Sequence, residues 1–376
     1  MKVSCLQENL SKGLSIVSRA VAARSTLPVL GNILVATDNG RLKLSATNLE
    51  LSITCWIGAK IEAEGATTVP AKTFVDLVNT LPQDKVELDL NPRTQTLNLA
   101  CGRTRAHVKG IDATEFPQIP QADVDHALEL NVEDLREMIG QVTFAAATDE
   151  ARPILTGVMA RIDGGGLKLE AADGFRLAVR TAHLSSPAAA AVNAVIPARA
   201  LVELARIITA EEPVHMSLPP GRGQVIFHHG SIELVSQLIE GAFPDLSPVI
   251  PKTYATRAVL PTDEFRKACR TSDIFAREAA HTARIKIKPG TDDAPGHVAI
   301  SATSAETGDN QAEIDASVEG PAVEISFNVK YLVDVLNVIT TPNVALEVSS
   351  ATSPGVIRPV TRDDYLYVAM PMHIGK

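Results

Sequence analysis

The stretch TTVPAKTFVDLVNTLP (67–82) returns as NAVIPARALVELARII (193–208), with the two prolines 127 residues apart. A looser third copy is EISFNVKYLVDVLNVI (324–339), with Asn328 in the proline's place. Each copy reads as a strand running into a helix. Proline at a helix start loses no hydrogen bond and presets φ. A second phrase keeps the same beat: Phe116-Pro117, Phe243-Pro244 and Met370-Pro371 follow strand-like runs at steps of 127 residues. GRLKLSA (40–46) is echoed by GGLKLEA (165–171) and HVAISA (297–302). The chain reads as one domain-sized unit built three times. The period far exceeds the 20–50 residues of solenoid repeats, so this is domain duplication.

A length of 376 residues suits three domains, each large enough for its own core. The boundaries fall at 1–124, 125–253 and 254–376, with linkers near 118–127 and 249–258. No run approaches a membrane span, and the N-terminus lacks a signal-peptide core, so a cytoplasmic protein is expected. The four cysteines form no CxxC pair and read as reduced, buried apolar residues. The nine histidines supply no clustered zinc ligands. His228-His229 reads as an exposed strand end.

Apolar spacing predicts first helices over 7–23, 132–147 and 263–277, with Asn131 and Thr262 as caps. Second helices start after Pro70, Pro197 and Asn328. Asp38-Asn39-Gly40 reads as a hairpin turn. The run Asp163-Gly164-Gly165-Gly166 is followed by an alternating strand and not by a helix, so it reads as a turn and not as a phosphate loop. Ser185–Ala191 reads as a loop. Two helices against antiparallel strands in each unit make an α+β plan.

The net charge is −9, which argues against a simple nucleic-acid binder. The helix segments nevertheless carry a slight basic excess while the remainder is strongly acidic. A face built of helices would attract phosphate without reading sequence. Aromatic residues are 4% and scattered, so no platform for single strands is evident. There is no HExxH, GxxxxGK[ST] or GxSxG. Asp292-Asp293 and Asp363-Asp364 read as solvated turn residues. No catalytic residue, metal site or cofactor is expected.

Six spaced motifs carry a resemblance along essentially the whole chain: RSTLPVLGNILV (24–35), ATTVPAKTFVDLVNTLP (66–82), RPILTGV (152–158), ADGFRLAV (172–179), SQLIEGAFPD (236–245) and YVAMPM (367–372). The chain resembles the bacterial DNA sliding clamp, the beta subunit of DNA polymerase III. The resemblance implies three tandem clamp domains, a head-to-tail dimer closing into a six-domain ring, and a non-catalytic processivity factor around duplex DNA. It implies double-stranded DNA, a replicative polymerase and a clamp loader as partners.

Carried over residue by residue, the DNA contacts fall on Arg24 and Arg152, with Lys12, Arg19, Lys72, Arg199 and Arg206 adding to the field. A groove for partner peptides falls on Leu155, Gly174, Arg176, Leu177, Pro244, Val249, Val368, Met370, Pro371 and Met372. Phe175 and Ala172 stand where polar residues are common in the family. A chain end as apolar as VAMPMHI is either buried or a binding surface, and methionine suits a groove serving several motifs. The dimer interface falls on Arg103, Arg105, Ala106, Val108, Ile274 and Phe275, with Glu306, Asp309 or Glu313 as ion-pair partners. Two rival readings remain open from the residues alone: a clamp-fold adaptor that never encircles DNA, and an enzyme using the acidic turns.

Overall fold

The computed structural model describes residues 1–22, 24–120, 127–149, 151–184, 191–209, 212–219, 221 and 223–372. Residues 185–190 of the loop expected over 185–191, and linker residues 121–126, lie outside the described residues. The first repeat runs β1 (Lys2–Leu6), α1 (Gln7–Val17), β2 (Asn32–Asp38), β3 (Arg41–Thr47), β4 (Leu51–Gly58), β5 (Lys60–Ala63), β6 (Ala66–Pro70), α2 (Ala71–Thr80), β7 (Lys85–Asn91), β8 (Thr96–Cys101) and β9 (Thr104–Lys109). The middle repeat runs β10 (Leu128–Leu130), α3 (Val132–Val142), β11 (Gly157–Asp163), β12 (Gly166–Ala172), β13 (Arg176–His183), β14 (Val192–Pro197), α4 (Ala198–Ile207), β15 (Val214–Ser217), β16 (Gln224–His229) and β17 (Ile232–Gln237). The last runs β18 (Thr256–Pro261), α5 (Thr262–Ala276), β19 (Thr282–Lys288), β20 (His297–Ser304), β21 (Gly308–Asp315), β22 (Ser317–Glu319), β23 (Val323–Asn328), α6 (Val329–Val338), β24 (Asn343–Val348), β25 (Gly355–Pro359) and β26 (Tyr365–Ala369).

These strands form antiparallel sheets that ignore the repeat boundaries. An eight-stranded sheet, β10-β15-β16-β17-β4-β3-β2-β6, joins the middle repeat to the first through β17 and β4. A nine-stranded sheet, β14-β11-β12-β13-β26-β25-β24-β18-β22, joins the middle repeat to the last through β13 and β26. The remaining sheets are β5-β1-β7-β8-β9 and β21-β20-β19-β23. Two compact bodies follow: residues 1–133 with 203–238, and residues 134–202 with 239–376. The middle repeat gives one of its sheets to each.

The α-helices following β1 and β10 end earlier than their apolar spacing predicts, at Val17 and Val142, and each continues as a short 3₁₀ turn. Hydroxyls bonding backward along the chain accompany both ends. Ser15 Oγ donates to Lys12 O at 2.7 Å and Thr143 Oγ1 to Ile139 O at 2.8 Å. Thr262 is not the α5 cap: it is the first helical residue, and its hydroxyl donates to Thr341 O at 2.8 Å. The second helices start where the sequence places them, and Asn328 Oδ1 accepts from Lys330 N as a side-chain cap. Gly164 turns at φ +55° between β11 and β12, as expected of a hairpin.

The hydrogen bonds also correct the third beat. Ile111 N donates to Thr68 O at 3.1 Å, Ile239 N to Val195 O at 2.9 Å, and Met372 N to Ser326 O at 2.7 Å. Each acceptor lies two residues before Pro70, Pro197 or Asn328, so Ile111, Ile239 and Met372 are equivalent. Met370-Pro371 therefore corresponds to Lys109-Gly110 and Gln237-Leu238, and not to the Phe-Pro pairs. Gly110 is required where it stands, because a Cβ there would lie 2.0 Å from Thr68 O.

All four cysteines are buried and free, and burial pushes the Cys55 thiol up to about 11. His229 is buried and not an exposed strand end: its Nε2 accepts from Thr209 N at 3.0 Å.

Candidate peptide groove and nucleic-acid face

The candidate groove residues belong to the second body, and a strand pairing brings several of them together. β13 and β26 set Leu177 opposite Val368 and Val179 opposite Leu366. Alternation sends these side chains to one face. There Leu177, Val179, Val356, Val368 and Ala172 form a buried cluster, on which Leu246, Ile250 and Leu366 pack. Val368 thus belongs to the floor. Leu155 is buried in the 3₁₀ turn Pro153–Thr156. Above the floor, Phe175 is 57% exposed, Val249 38% and Met370 37%. Pro244 is exposed, and Pro371 and Met372 are half-buried. Met370 N donates to Phe175 O at 2.8 Å, which ties the chain's end to the β12–β13 turn.

That turn depends on Gly174, at φ +94°. A Cβ there would stand 2.7 Å from Arg152 Nη1, and Arg152 Nη2 donates to Asp173 O at 2.9 Å. Arg152, which the sequence reading gave to DNA, therefore sits over the turn that carries Phe175.

Arg176, read as a groove residue, is a tie beneath it. Its guanidinium donates to Asp173 Oδ2 at 2.9 Å, Asp334 Oδ2 at 2.6 Å and Phe144 O at 2.8 Å, and it lies 4.3 Å from the centre of the Tyr331 ring. Burial lowers its pKa, but Tyr367, Asp334 and Asp173 more than offset this and hold it above the ordinary arginine value. A second tie fastens the far end of the same strand pair. Arg180 reaches Glu137, Asp364 and Gln141, and Arg362 bonds both carboxylates. Asp364 is thus an ion-pair partner and not a solvated turn residue. The sequence reading missed Phe144, Tyr331, Asp334 and Glu137 altogether. Their signal is tertiary, since each lies far along the chain from its partner.

The basic candidates fall on both bodies. Lys12, Arg24, Lys72 and Arg199 are exposed. Arg19 and Arg206 are also exposed, but both bond Glu203, at 3.1 and 2.8 Å. α1 docks beside α2, with Gln7 Nε2 donating to Val78 O at 2.9 Å and Ser11 Oγ to Asn79 Oδ1 at 2.7 Å. Arg105, Ala106 and Val108 lie on β9, at the edge of its sheet, with Arg103 just before it. Ala106 is half-buried and Val108 buried. Ile274, 56% exposed, and Phe275, half-buried, lie in the last turn of α5.

Repeated units of two helices and two antiparallel sheets, joined strand to strand, define a protein of the DNA-clamp class. Residues 1–120, 129–245 and 247–373 match in turn the N-terminal, central and C-terminal domains of the DNA polymerase III beta subunit. The chain belongs to that family. The beta sliding clamp of Synechococcus elongatus is 33% identical over 381 residues, covering 100% of both chains. That of Staphylococcus aureus is 32% identical over 94% of each. The crystal structure of the Bacillus subtilis DNA polymerase sliding clamp matches with a TM-score of 0.94 at 28% identity. The DNA polymerase III beta subunit of Pseudomonas aeruginosa matches at 0.91 and 29%, and each covers 100% of this chain. The function is that of a sliding clamp in DNA replication.

Proposed function

We propose that two copies of this chain close head to tail around duplex DNA, perform no chemistry, and tether the replicative polymerase and the clamp loader through peptides seated in the groove. One observation carries the ring. Within the chain, repeats join by pairing β4 with β17 and β13 with β26. The equivalent strands left over are β21 of the last repeat and β9 of the first, and both are sheet edges. An edge strand is a template for another chain, and a heterologous joint that closes leaves none free. Ile274 and Phe275 would then meet Ala106 and Val108 of a second copy, with Arg103 and Arg105 near its acidic β21.

The reading gives Lys12, Arg19, Arg24, Lys72, Arg199 and Arg206 to a weak phosphate field, and Arg152 to the groove rim as well as to DNA. The groove's apolar rim of Phe175, Val249 and Met370 fits apolar peptide anchors. Domain boundaries at 1–124, 125–253 and 254–376 and a location in the cytoplasm complete it. No described helix is long and apolar enough to cross a membrane. The test is retention on circular DNA after loading, followed by linearisation. Persistence on circles and rapid loss from linear DNA are expected; equal loss from both would overturn encirclement. A monomer in solution at micromolar concentration would overturn the ring.

A further inference from the structure

The joints inside the chain fix the register of the joint between copies. In the three hairpins β3–β4, β12–β13 and β20–β21, Thr47 pairs with Ser52, Ala172 with Leu177, and Thr303 with Asp309. Ser52, Leu177 and Asp309 are therefore equivalent. On the facing strands, Val235, Val368 and His107 each stand four residues before the equivalent trio Ile239, Met372 and Ile111. Ser52 faces Val235 and Leu177 faces Val368.

Resting on the dimer reading above, we infer that β9 adds to β21 of a second copy with His107 opposite Asp309, and that this rung tightens the seam when His107 is protonated. The register passes an independent check. A one-residue slip would put inward side chains opposite outward ones. Here half-buried Ala106 faces half-buried Asn310, and exposed Arg105 and Arg103 face exposed Gln311 and Glu313. A basic row thus meets an acidic one.

The tautomer gives the rung its direction. Asn98 Nδ2 donates to Asp89 O at 3.1 Å, which leaves Asn98 Oδ1 to accept from His107 Nδ1 at 2.7 Å. The neutral ring then holds a bare lone pair on Nε2, and the second proton converts it to a donor toward a carboxylate. Arg105 and Lys109 flank His107 on its own strand. Glu87 and Asp89 on β7, Lys2 on β1 and Glu62 on β5 share its face of the sheet. Lys2 is paired with Glu62 at 2.8 Å. The corresponding positions inside the chain, Val235 and Val368, cannot ionise, so neither intrachain joint carries this rung.

The experiment measures the dimer dissociation constant of the full chain by sedimentation from about pH 8 to about pH 6, across the imidazole range. Two rungs per ring are expected to tighten the dimer about five- to thirty-fold at the lower pH. His107→Asn flattens the profile. A wild-type profile as flat as that of His107→Asn overturns the rung. Register is read separately by oxidation: Thr104→Cys with Ala312→Cys cross-links into a dimer, and Thr104→Cys with Asn310→Cys does not. The reverse pattern in a chain that still dimerises overturns the register, and a monomeric wild type overturns the dimer reading beneath it.

Discussion

Replacing Arg176 with methionine keeps most of the apolar stem and removes the cation that ties β13 to α6. Its side chain is 10% exposed, and its partners Asp173 and Asp334 are 15% and 29% exposed. Removing one member of a buried pair typically costs about 3–5 kcal/mol, because the remaining charges lose their compensation. The partial exposure of Asp334 moves the expectation to the low end. The lost stacking on Tyr331 adds about 0.5–1 kcal/mol, and a total of about 3.5–4 kcal/mol follows. The chain has more than one compact body, so a single unfolding curve is the wrong assay. Native-state hydrogen exchange reads the joint directly. The amides of Met370 and Thr181 donate across β13–β26, to Phe175 O and Asp364 O. In Arg176→Met both are expected to exchange about a hundredfold faster or more. Leu90 N, bonded to Met1 O in the first body, should be unchanged. Asp334→Asn should cost less, since Arg176 keeps Asp173. An acceleration below about tenfold at Met370, or an equal one at Leu90, would refute the reasoning.

Three further outcomes follow from the same geometry. Phe175→Ser and Met370→Ser remove exposed apolar surface from the groove rim, so each should weaken a partner peptide by about tenfold in a titration while leaving thermal stability within about 1 kcal/mol. Glu203→Gln releases Arg19 and Arg206, so affinity for short linear duplex should rise at low salt and the salt dependence should steepen; an unchanged slope would place both arginines away from DNA. The third concerns acid. Hydrogen bonds from Arg362 hold Glu137 below the usual carboxylate range, against the effect of burial. Burial would raise Asp364, but Arg362 and Arg180 outweigh it and leave it lowered too. A depressed folded pKa contributes stability that is present above the unfolded carboxylate value of about 4 and is lost as pH falls through the folded one. The melting-temperature gap between wild type and Glu137→Gln should therefore be full at neutral pH and close below about pH 4. A gap that persists into strong acid would show that Glu137 acts through packing alone.

The groove shows how far sequence reasoning reaches. The strand-like run before Met370-Pro371 placed Val368 on a strand, while Leu177 and Gly174 came only from the resemblance. Which strands paired was not written there, because β13 and β26 are far apart in the chain and each alternates equally well against its own hairpin partner. The partners of Arg176 were hidden for the same reason. Its true partners, Asp334, Phe144 and Tyr331, come from other segments. The sequence also did not show that Arg152 packs over Gly174 and bonds Asp173 O.

The sequence alone determined the triplication, the placement of the second helices after Pro70, Pro197 and Asn328, and the hairpins, because local signals of turn, cap and apolar period decide such elements. The equal steps of the Phe-Pro and Met-Pro phrases were a coincidence that only hydrogen bonds could expose. Tertiary structure decided that sheets run through the repeat boundaries and that β9 and β21 lie at sheet edges. A backbone edge has no sequence signature. Its N–H and C=O groups are the same in every strand, and only the assembled sheet shows which of them are left without partners.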